Sequence, residues 1–196
     1  MAGLSATRER ILDVAVDVLG AAPEAGMADV AAAAGVVRRT VYGYFPTRAE
    51  LVLALARRAA DEMTAILDEE AGEAGEPAGP RPADAAWVGF VVRLWPVAQR
   101  YRVLLVLRRG EFGAEIHALL DPVEEALTRL IDRGQREARF AAHLPAAVLA
   151  QVAWSALFTI ADGDVPRGTL DPIDVVRASL SILGVSDARA DELLAP

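Results

Sequence analysis

Apolar positions recur along this chain at about the helical period, and the interruptions fall at glycine and proline, which predicts a string of amphipathic helices. Ile11, Ala15, Val18 and Leu19 set the period of a first helix starting near Ser5 or Thr7 and reaching Ala22, with Leu12 and Val14 widening its stripe. Leu51, Leu55, Met63 and Ile66 mark the inner face of a long helix from about Arg48 to Ala71, with Arg57, Arg58, Asp61 and Glu62 on its wet face. Gly72–Ala83, with three glycines and three prolines in twelve residues, reads as a loop. Asp84 opens a helix carrying Trp87, Phe90, Val91, Leu94 and Trp95, and Pro96 is expected to kink or break it. A piece around Tyr101–Arg109 precedes a break at Gly110 and Gly113, and Ala114–Leu120 forms another piece. Asp121-Pro122-Val123-Glu124 has an acidic cap, a first-turn proline and an early glutamate, and so predicts a new helix running to about Ala138. Leu144-Pro145 starts the next, through Ala161, and Gly163–Thr169 reads as a loop. Asp171-Pro172-Ile173-Asp174 repeats the start signal for a helix ending at Gly184, and a short helix over Asp187–Leu194 closes the series. There is no internal repeat and no convincing strand.

The most informative stretch runs from Met27 to Leu51, MADVAAAAGVVRRTVYGYFPTRAEL. A short helix with Val30 and Ala31 facing inward reaches Gly35, and glycine supplies the positive φ that stops a helix and turns the chain. Val36 plugs the turn from below. A second short helix presents Arg38, Arg39, Thr40 and Gly43 outward and Val41 and Phe45 inward, with Tyr42 and Tyr44 on its flanks. Pro46 ends it, and Thr47 and Glu50 form a capping box that opens the long helix. Two short helices joined by a tight glycine turn, the second carrying arginine and tyrosine outward, form the helix-turn-helix that lays a recognition helix in a DNA major groove. Arginine pairs bidentately with guanine O6 and N7 there, and the Thr40 hydroxyl reaches a base or a phosphate. Arg48 stands in the first turn of a helix, where the dipole disfavours a cation, so a DNA phosphate is its expected partner.

Ala34-Gly35-Val36, Thr40-Val41-Tyr42, Tyr44-Phe45-Pro46-Thr47-Arg48 and Glu50-Leu51 together resemble the signature of the TetR family of transcriptional repressors. The resemblance implies an all-α fold. Residues 1–46 would be a helix-turn-helix DNA-binding domain, 47–71 a connecting helix, and 84–196 a helical bundle for ligand binding and dimerisation. It implies DNA contacts from Val37, Arg38, Arg39, Thr40, Tyr42, Gly43, Tyr44 and Arg48, with the tyrosines on the sugar-phosphate backbone and Gly43 allowing close approach. It also implies a homodimer on a palindromic operator in double-stranded DNA, with half-sites about a helical turn apart, roughly 34–36 Å or a multiple. An effector in the C-terminal domain would favour a state with the long helix from Arg48 displaced, respacing the recognition helices and releasing DNA. Two positions depart from the family's pattern. Val37 stands where a serine is usual, at the cap of the recognition helix, and Gly26 where serine or threonine is usual ahead of the preceding helix. Glycine caps tolerably and valine poorly.

The C-terminal helices suggest quaternary structure. Leu149, Val152, Ala156 and Ile160 make one apolar face of their helix, and Trp154 and Phe158 another. Ile173, Val176, Leu180 and Leu183 make one face of the final long helix, with Val175 and Ile182 across from it. A helix apolar nearly all round needs partners on two sides, its own core and a twofold mate. Leu149, Val152, Ala156, Ile160, Val176, Leu180 and Leu183 are therefore the expected dimer interface, the alternative being a monomer whose core takes both helices. The aromatic set is Trp87, Phe90, Trp95, Tyr101, Phe112, Phe140, Trp154 and Phe158. By the family resemblance, Trp87, Phe90, Trp95, Tyr101, Phe112, Trp154 and Phe158 would line a pocket for a small apolar or aromatic effector. Core packing is the plainer reading of any one of them.

Composition excludes several classes. The 196 residues are 54% apolar, ample for a core. Cysteine is absent, which removes disulfides, a thiol nucleophile and Cys-rich metal sites. His117 and His143 lie too far apart in sequence to suggest a metal site, and no cofactor is expected. No apolar stretch reaches the ~18 residues of a membrane span without charge or proline. Arg8, Glu9 and Arg10 interrupt any signal-peptide core, so a cytoplasmic protein is expected. The net charge of −8 argues at first against nucleic acid, but residues 1–60 hold seven arginines against six acidic residues. Arg8, Arg38, Arg39 and Arg48 could share one face that binds phosphates. The run Asp68-Glu69-Glu70 reads as a solvated face. No nucleophile elbow, phosphate loop or His-x-x-x-His pair is present, so no catalytic residue is assigned and an enzyme is not expected. The reading is a ligand-responsive, DNA-binding repressor. The alternative is a helical-bundle carrier or enzyme with a vestigial DNA-binding motif.

Overall fold

The computed structural model describes residues 2–72, 81–107, 109–110, 112–162 and 171–195. Among these the chain is all helix, with no strand: α1 (Ala2–Ala21), α2 (Met27–Ala33), α3 (Arg38–Tyr44), α4 (Arg48–Ala71), α5 (Ala83–Arg100), α6 (Arg102–Leu107), α7 (Gly113–Arg136), α8 (Ala146–Asp162), α9 (Pro172–Ile182) and α10 (Asp187–Leu194). Most of the expected loop at Gly72–Ala83, and all of that at Gly163–Thr169, lie outside the described residues. No helix among the described residues is long and apolar enough to cross a membrane.

Several helix starts follow from the capping chemistry. Thr47 Oγ1 accepts from the Glu50 amide at 3.1 Å, which fixes the beginning of α4. Asp171 Oδ1 accepts from the Ile173 amide at 2.9 Å ahead of α9. Gly26 has no side chain to cap α2, and the Asp29 carboxylate takes over by accepting from the Gly26 amide at 2.8 Å. Asp29 also sits in the first turn of α2, where a negative charge suits the dipole.

Of the kink or break expected at Pro96 the break does not occur, and neither does the helix boundary expected at Asp121. α5 runs through Pro96, and α7 is one 24-residue helix through Pro122 rather than two pieces meeting at Asp121. Proline removes one ladder hydrogen bond and crowds the carbonyl four residues back. Pro96 and Val92 are both exposed, as are Pro122 and Ala118. The disturbed carbonyls therefore lie on the wet side, where water satisfies them, while the opposite faces stay packed.

Contacts group the chain into two compact units. The first takes residues from 1–59 and 100–119. Its core gathers Ile11, Leu12, Ala15, Val16 and Leu19 of α1, Val30 and Ala31 of α2, Val41 and Phe45, and Leu51, Val52 and Leu55 of α4. Val16 takes the inward place expected of Val18, which is half-buried. A charged cluster ties α1 to α4: Asp13 Oδ1 accepts from Arg58 Nη1 at 2.9 Å and from Arg100 Nη2 at 2.8 Å. Arg58 Nε donates to the Tyr101 hydroxyl at 2.8 Å. Burial acts against the Arg58 charge, but Tyr101 and Asp13 more than offset it, holding the guanidinium above its usual pKa. Arg58 is thus a half-buried structural cation rather than a free member of a wet face.

The second unit takes residues from 60–99 and 120–196. Met63, Ile66 and Leu67 of α4, Trp87, Phe90 and Leu94 of α5, Leu127 and Ile131 of α7, Leu149 and Leu157 of α8, and Val176 and Leu180 of α9 form its core. Two carboxylates are buried with it. Asp84 accepts from Arg189 Nε at 2.9 Å, and Glu70 from Arg81 Nη1 at 2.6 Å and Arg93 Nη1 at 3.1 Å. Glu70 is therefore no member of a solvated acidic face: burial without these arginines would leave an uncompensated charge.

Candidate functional site

The turn between α2 and α3 is built by backbone. Gly35 has φ +64°, the left-handed region that glycine enters without penalty. The Val36 amide donates to the Ala31 carbonyl at 3.0 Å and the Gly35 amide to the Ala32 carbonyl at 3.2 Å. This crossed pair is a Schellman motif, which satisfies carbonyls at the end of α2 and sets the direction of exit. Val37 follows in extended conformation and α3 begins, its Thr40 amide bonded to the Val37 carbonyl at 2.9 Å. Val41, fully buried, and Phe45 anchor α3 from below.

That anchoring leaves one face of α3 outward. Arg38, Arg39, Tyr42 and Gly43 are exposed, and Thr40 and Tyr44 are half-buried on its flanks. The exposed positions fall at i, i+1, i+4 and i+5, which is one side of a helix. No hydrogen bond or ion pair ties up Arg38 or Arg39 among the described residues, so both guanidiniums keep all five donors available. Val37 is 70% exposed and provides no side-chain cap. Compared with a serine there, α3 forgoes about 1 kcal/mol.

Of the other expected members of a basic face, Arg48 is used internally and Arg8 is exposed. Arg48 Nε donates to the Ala25 carbonyl at 3.2 Å, and its Nη2 to the Pro23 carbonyl. Its guanidinium also lies 5.8 Å from the Phe112 ring centroid. Arg48 thus clamps the α1–α2 connection. Its place in the first turn of α4 is explained by those carbonyls, and the phosphate partner expected from sequence is not needed. Arg8 pairs with Glu9 at 3.0 Å and lies over the Phe45 ring at 5.3 Å.

The aromatic set divides between the two units. Trp87, Phe90, Trp154 and Phe158 form a chain of ring contacts in the second unit, the tightest being Trp154 on Phe158 at 4.3 Å, edge to face. Trp87 and Phe90 have no exposed surface, and Trp87 Nε1 donates to Ser179 Oγ at 2.9 Å. Both are core. Trp95 is half-buried at a pit of only about 10 Å³, with Val91, Leu94, Trp154, Leu157 and Phe158. Tyr101 and Phe112 belong to the first unit, where Tyr101 is under the Arg58 and Arg100 guanidiniums and Phe112 is under that of Arg48. Within the second unit, Trp95, Trp154 and Phe158 meet at that pit, and Trp87 and Phe90 are packed as core.

A roomier cleft of about 610 Å³ opens between α7 and α8. Trp154 is one wall, and Asp121, Glu124, Glu125, Thr128, Arg129 and Gln151 supply the polar groups. Trp154 Nε1 is buried without a hydrogen-bond partner. The three carboxylates were missed in the sequence because Asp121-Pro122 reads as a helix start. The helical spacing of Asp121, Glu125 and Thr128 on one continuous helix is the signal that could have found them.

The expected dimer face is also redistributed. Leu149, Val176, Leu180 and Leu183 are buried within the second unit's own core. Val152 is 45% exposed, Ala156 and Ile160 are half-buried, and Val148 and Ile173 join the exposed set. Periodicity identifies two faces but not which of them turns inward. His117 and His143 are exposed, and no cluster of His, Cys, Asp or Glu suited to a metal occurs among the described residues.

A family model described as bacterial regulatory proteins, tetR family, matches residues 11–55, from the middle of α1 into the first third of α4. The transcriptional repressor LfrR of Mycolicibacterium smegmatis is 36% identical over 136 residues, which cover 67% of this chain and 66% of the repressor. The crystal structure of the TetR-like regulator LfrR from Mycobacterium smegmatis in complex with proflavine aligns at 30% identity with a TM-score of 0.66, covering 91% of this chain and 94% of that one. The fatty acid degradation regulator FadR from Bacillus halodurans shares the fold, with a TM-score of 0.75 at 18% identity over 90% of this chain and 94% of that one.

Proposed function

This chain belongs to the tetR family of bacterial regulatory proteins and is a ligand-responsive DNA-binding regulator, and we propose that it is a cytoplasmic repressor that holds a palindromic operator as a homodimer and lets go when an aromatic effector binds. Residues 1–46 carry the DNA contact, 47–71 the connecting helix, and 84–196 the effector site and dimer interface. Each subunit lays α3 in a major groove. Arg38 and Arg39 face the base edges, while Thr40, Tyr42 and Tyr44 contact backbone. The observation that carries this reading is the outward side of α3: two guanidiniums without internal partners, beside exposed Tyr42 and Gly43.

Dimerisation uses α8 and α9, and its support is the apolar surface at Val148, Val152 and Ile173, which are 43%, 45% and 45% exposed. The effector occupies the α7–α8 cleft against Trp154. Three carboxylates against one guanidinium there favour a cation, and proflavine, the ligand of the LfrR complex, is a flat aromatic cation. Effector binding favours a state in which α4 is displaced, and DNA affinity falls by the effector's preference for that state. Catalysis has no part in this reading.

The test is selection of duplexes from a randomised library, followed by fluorescence anisotropy with the recovered duplex in the presence and absence of proflavine. A palindrome bound by dimers and released by proflavine is the expected result. Failure of any sequence to be enriched would reject the repressor reading. Specific binding untouched by proflavine would reject the effector class.

A further inference from the structure

Among the described residues Val37 is the most exposed of the large apolar side chains, at 70%, and it sits at the entrance to the helix that faces DNA. Its exposure does not follow from the helical pattern. Val41, four residues on, is fully buried, and a helical residue at position 37 would share that inward face. The extended backbone of Val37, φ −76° and ψ 149°, swings its side chain out of that register. The isopropyl group therefore contributes neither to the core nor to capping, and it stands next to Arg38 and Arg39. An apolar group at this place leaves most of its surface open to solvent until a partner arrives.

In the major groove, thymine presents one apolar feature, its C5-methyl group. We propose that Val37 is a specificity-determining residue that packs on a thymine methyl beside the base read by Arg38 or Arg39. This rests on α3 being the DNA-reading helix. The recognition helix enters the groove by its N-terminal residues, which brings position 37 to the base edges together with the two arginines. A hydroxyl there would reach a phosphate and carry no sequence information. The valine converts a positioning contact into one that distinguishes thymine from cytosine. Each operator half-site would then carry one thymine whose methyl, rather than its hydrogen-bonding edge, is recognised.

Deoxyuridine differs from thymidine by that methyl alone, so it isolates the contact. Each thymidine of the duplex recovered by library selection is replaced in turn by deoxyuridine, symmetrically in both half-sites. Affinities of the unsubstituted protein and of Val37→Ser are then measured. Removal of one methyl should weaken binding about fourfold per half-site, and about fifteenfold for the two together. One symmetric pair of thymidines should show this loss with the unsubstituted protein and none with Val37→Ser. Serine is the better cap and position 37 is exposed, so the variant's thermal melting should be unchanged or higher. Specific binding in which no thymidine shows a loss that Val37→Ser erases overturns the methyl contact and leaves the regulator reading standing. Failure of the unsubstituted protein to prefer the selected duplex over a scrambled one overturns both.

Discussion

Gly43 occupies the exposed side of α3, one turn after Arg39. A Cβ placed there would meet nothing within 4 Å, so no internal packing requires the glycine. Alanine is the better helix former by about 0.8–1.0 kcal/mol. For a chain of this size that raises the melting temperature by about 2–4 °C. The same methyl would project into the groove. Where DNA approaches as closely as a bare Cα permits, overpacking costs about 1–3 kcal/mol, a loss of roughly 5- to 150-fold in affinity. The two effects have opposite signs, so Gly43→Ala should melt higher and bind more weakly. Thermal melting followed by circular dichroism, and anisotropy with the selected duplex, read them separately. A higher melting temperature with unchanged affinity would refute the placement of Gly43 against DNA. A lower melting temperature would refute the open space around it.

Arg48→Ala loses charge-assisted hydrogen bonds to two loop carbonyls, each worth about 1.5–3 kcal/mol. It should melt lower while the slope of log K against log salt stays as it was. Arg38→Ala should leave melting unchanged and relax the preference at one base pair of each half-site by about 1–3 kcal/mol, which anisotropy against single-base variants of the selected duplex will show. Val152→Glu places a charge on the proposed α8–α9 interface and should yield monomers by analytical ultracentrifugation with helical content retained; a persistent dimer would move the interface elsewhere. Glu124→Gln removes one carboxylate of the α7–α8 cleft and should weaken proflavine binding about two- to fivefold, more at low salt. An unchanged affinity would exclude charge as the cleft's selector.

Local signals were legible wherever one short segment contains its own cause. The starts of α4 and α9 follow from Thr47 and Asp171, whose side chains accept from amides of the first turn. Gly35 announces its turn, and Val41 and Phe45 their inward face. What sequence could not supply depends on residues distant along the chain. The carbonyls of Pro23 and Ala25 claim Arg48 across more than twenty positions. Asp84 meets Arg189 from the other end of the second unit. Pro122 was misread for a related reason: whether a proline breaks a helix depends on what packs on the opposite face. Of the apolar stripe read for α9, Val176, Leu180 and Leu183 went to the core rather than to a partner, while Ile173 is exposed and Val175, read on the opposite side, is buried; a period carries no sign.

The Schellman bonds at Gly35 and the anchors Val41 and Phe45 hold α3 entirely from beneath and behind. None of the residues on its outward side contributes to that hold. Fold stability and target choice are therefore nearly uncoupled in this protein. Substitutions at positions 38 and 39 can drift almost neutrally with respect to folding while each alters which DNA is preferred. Duplicated copies of such a gene can diverge in target long before either loses its scaffold, and an engineer can randomise those two positions without first restabilising the chain.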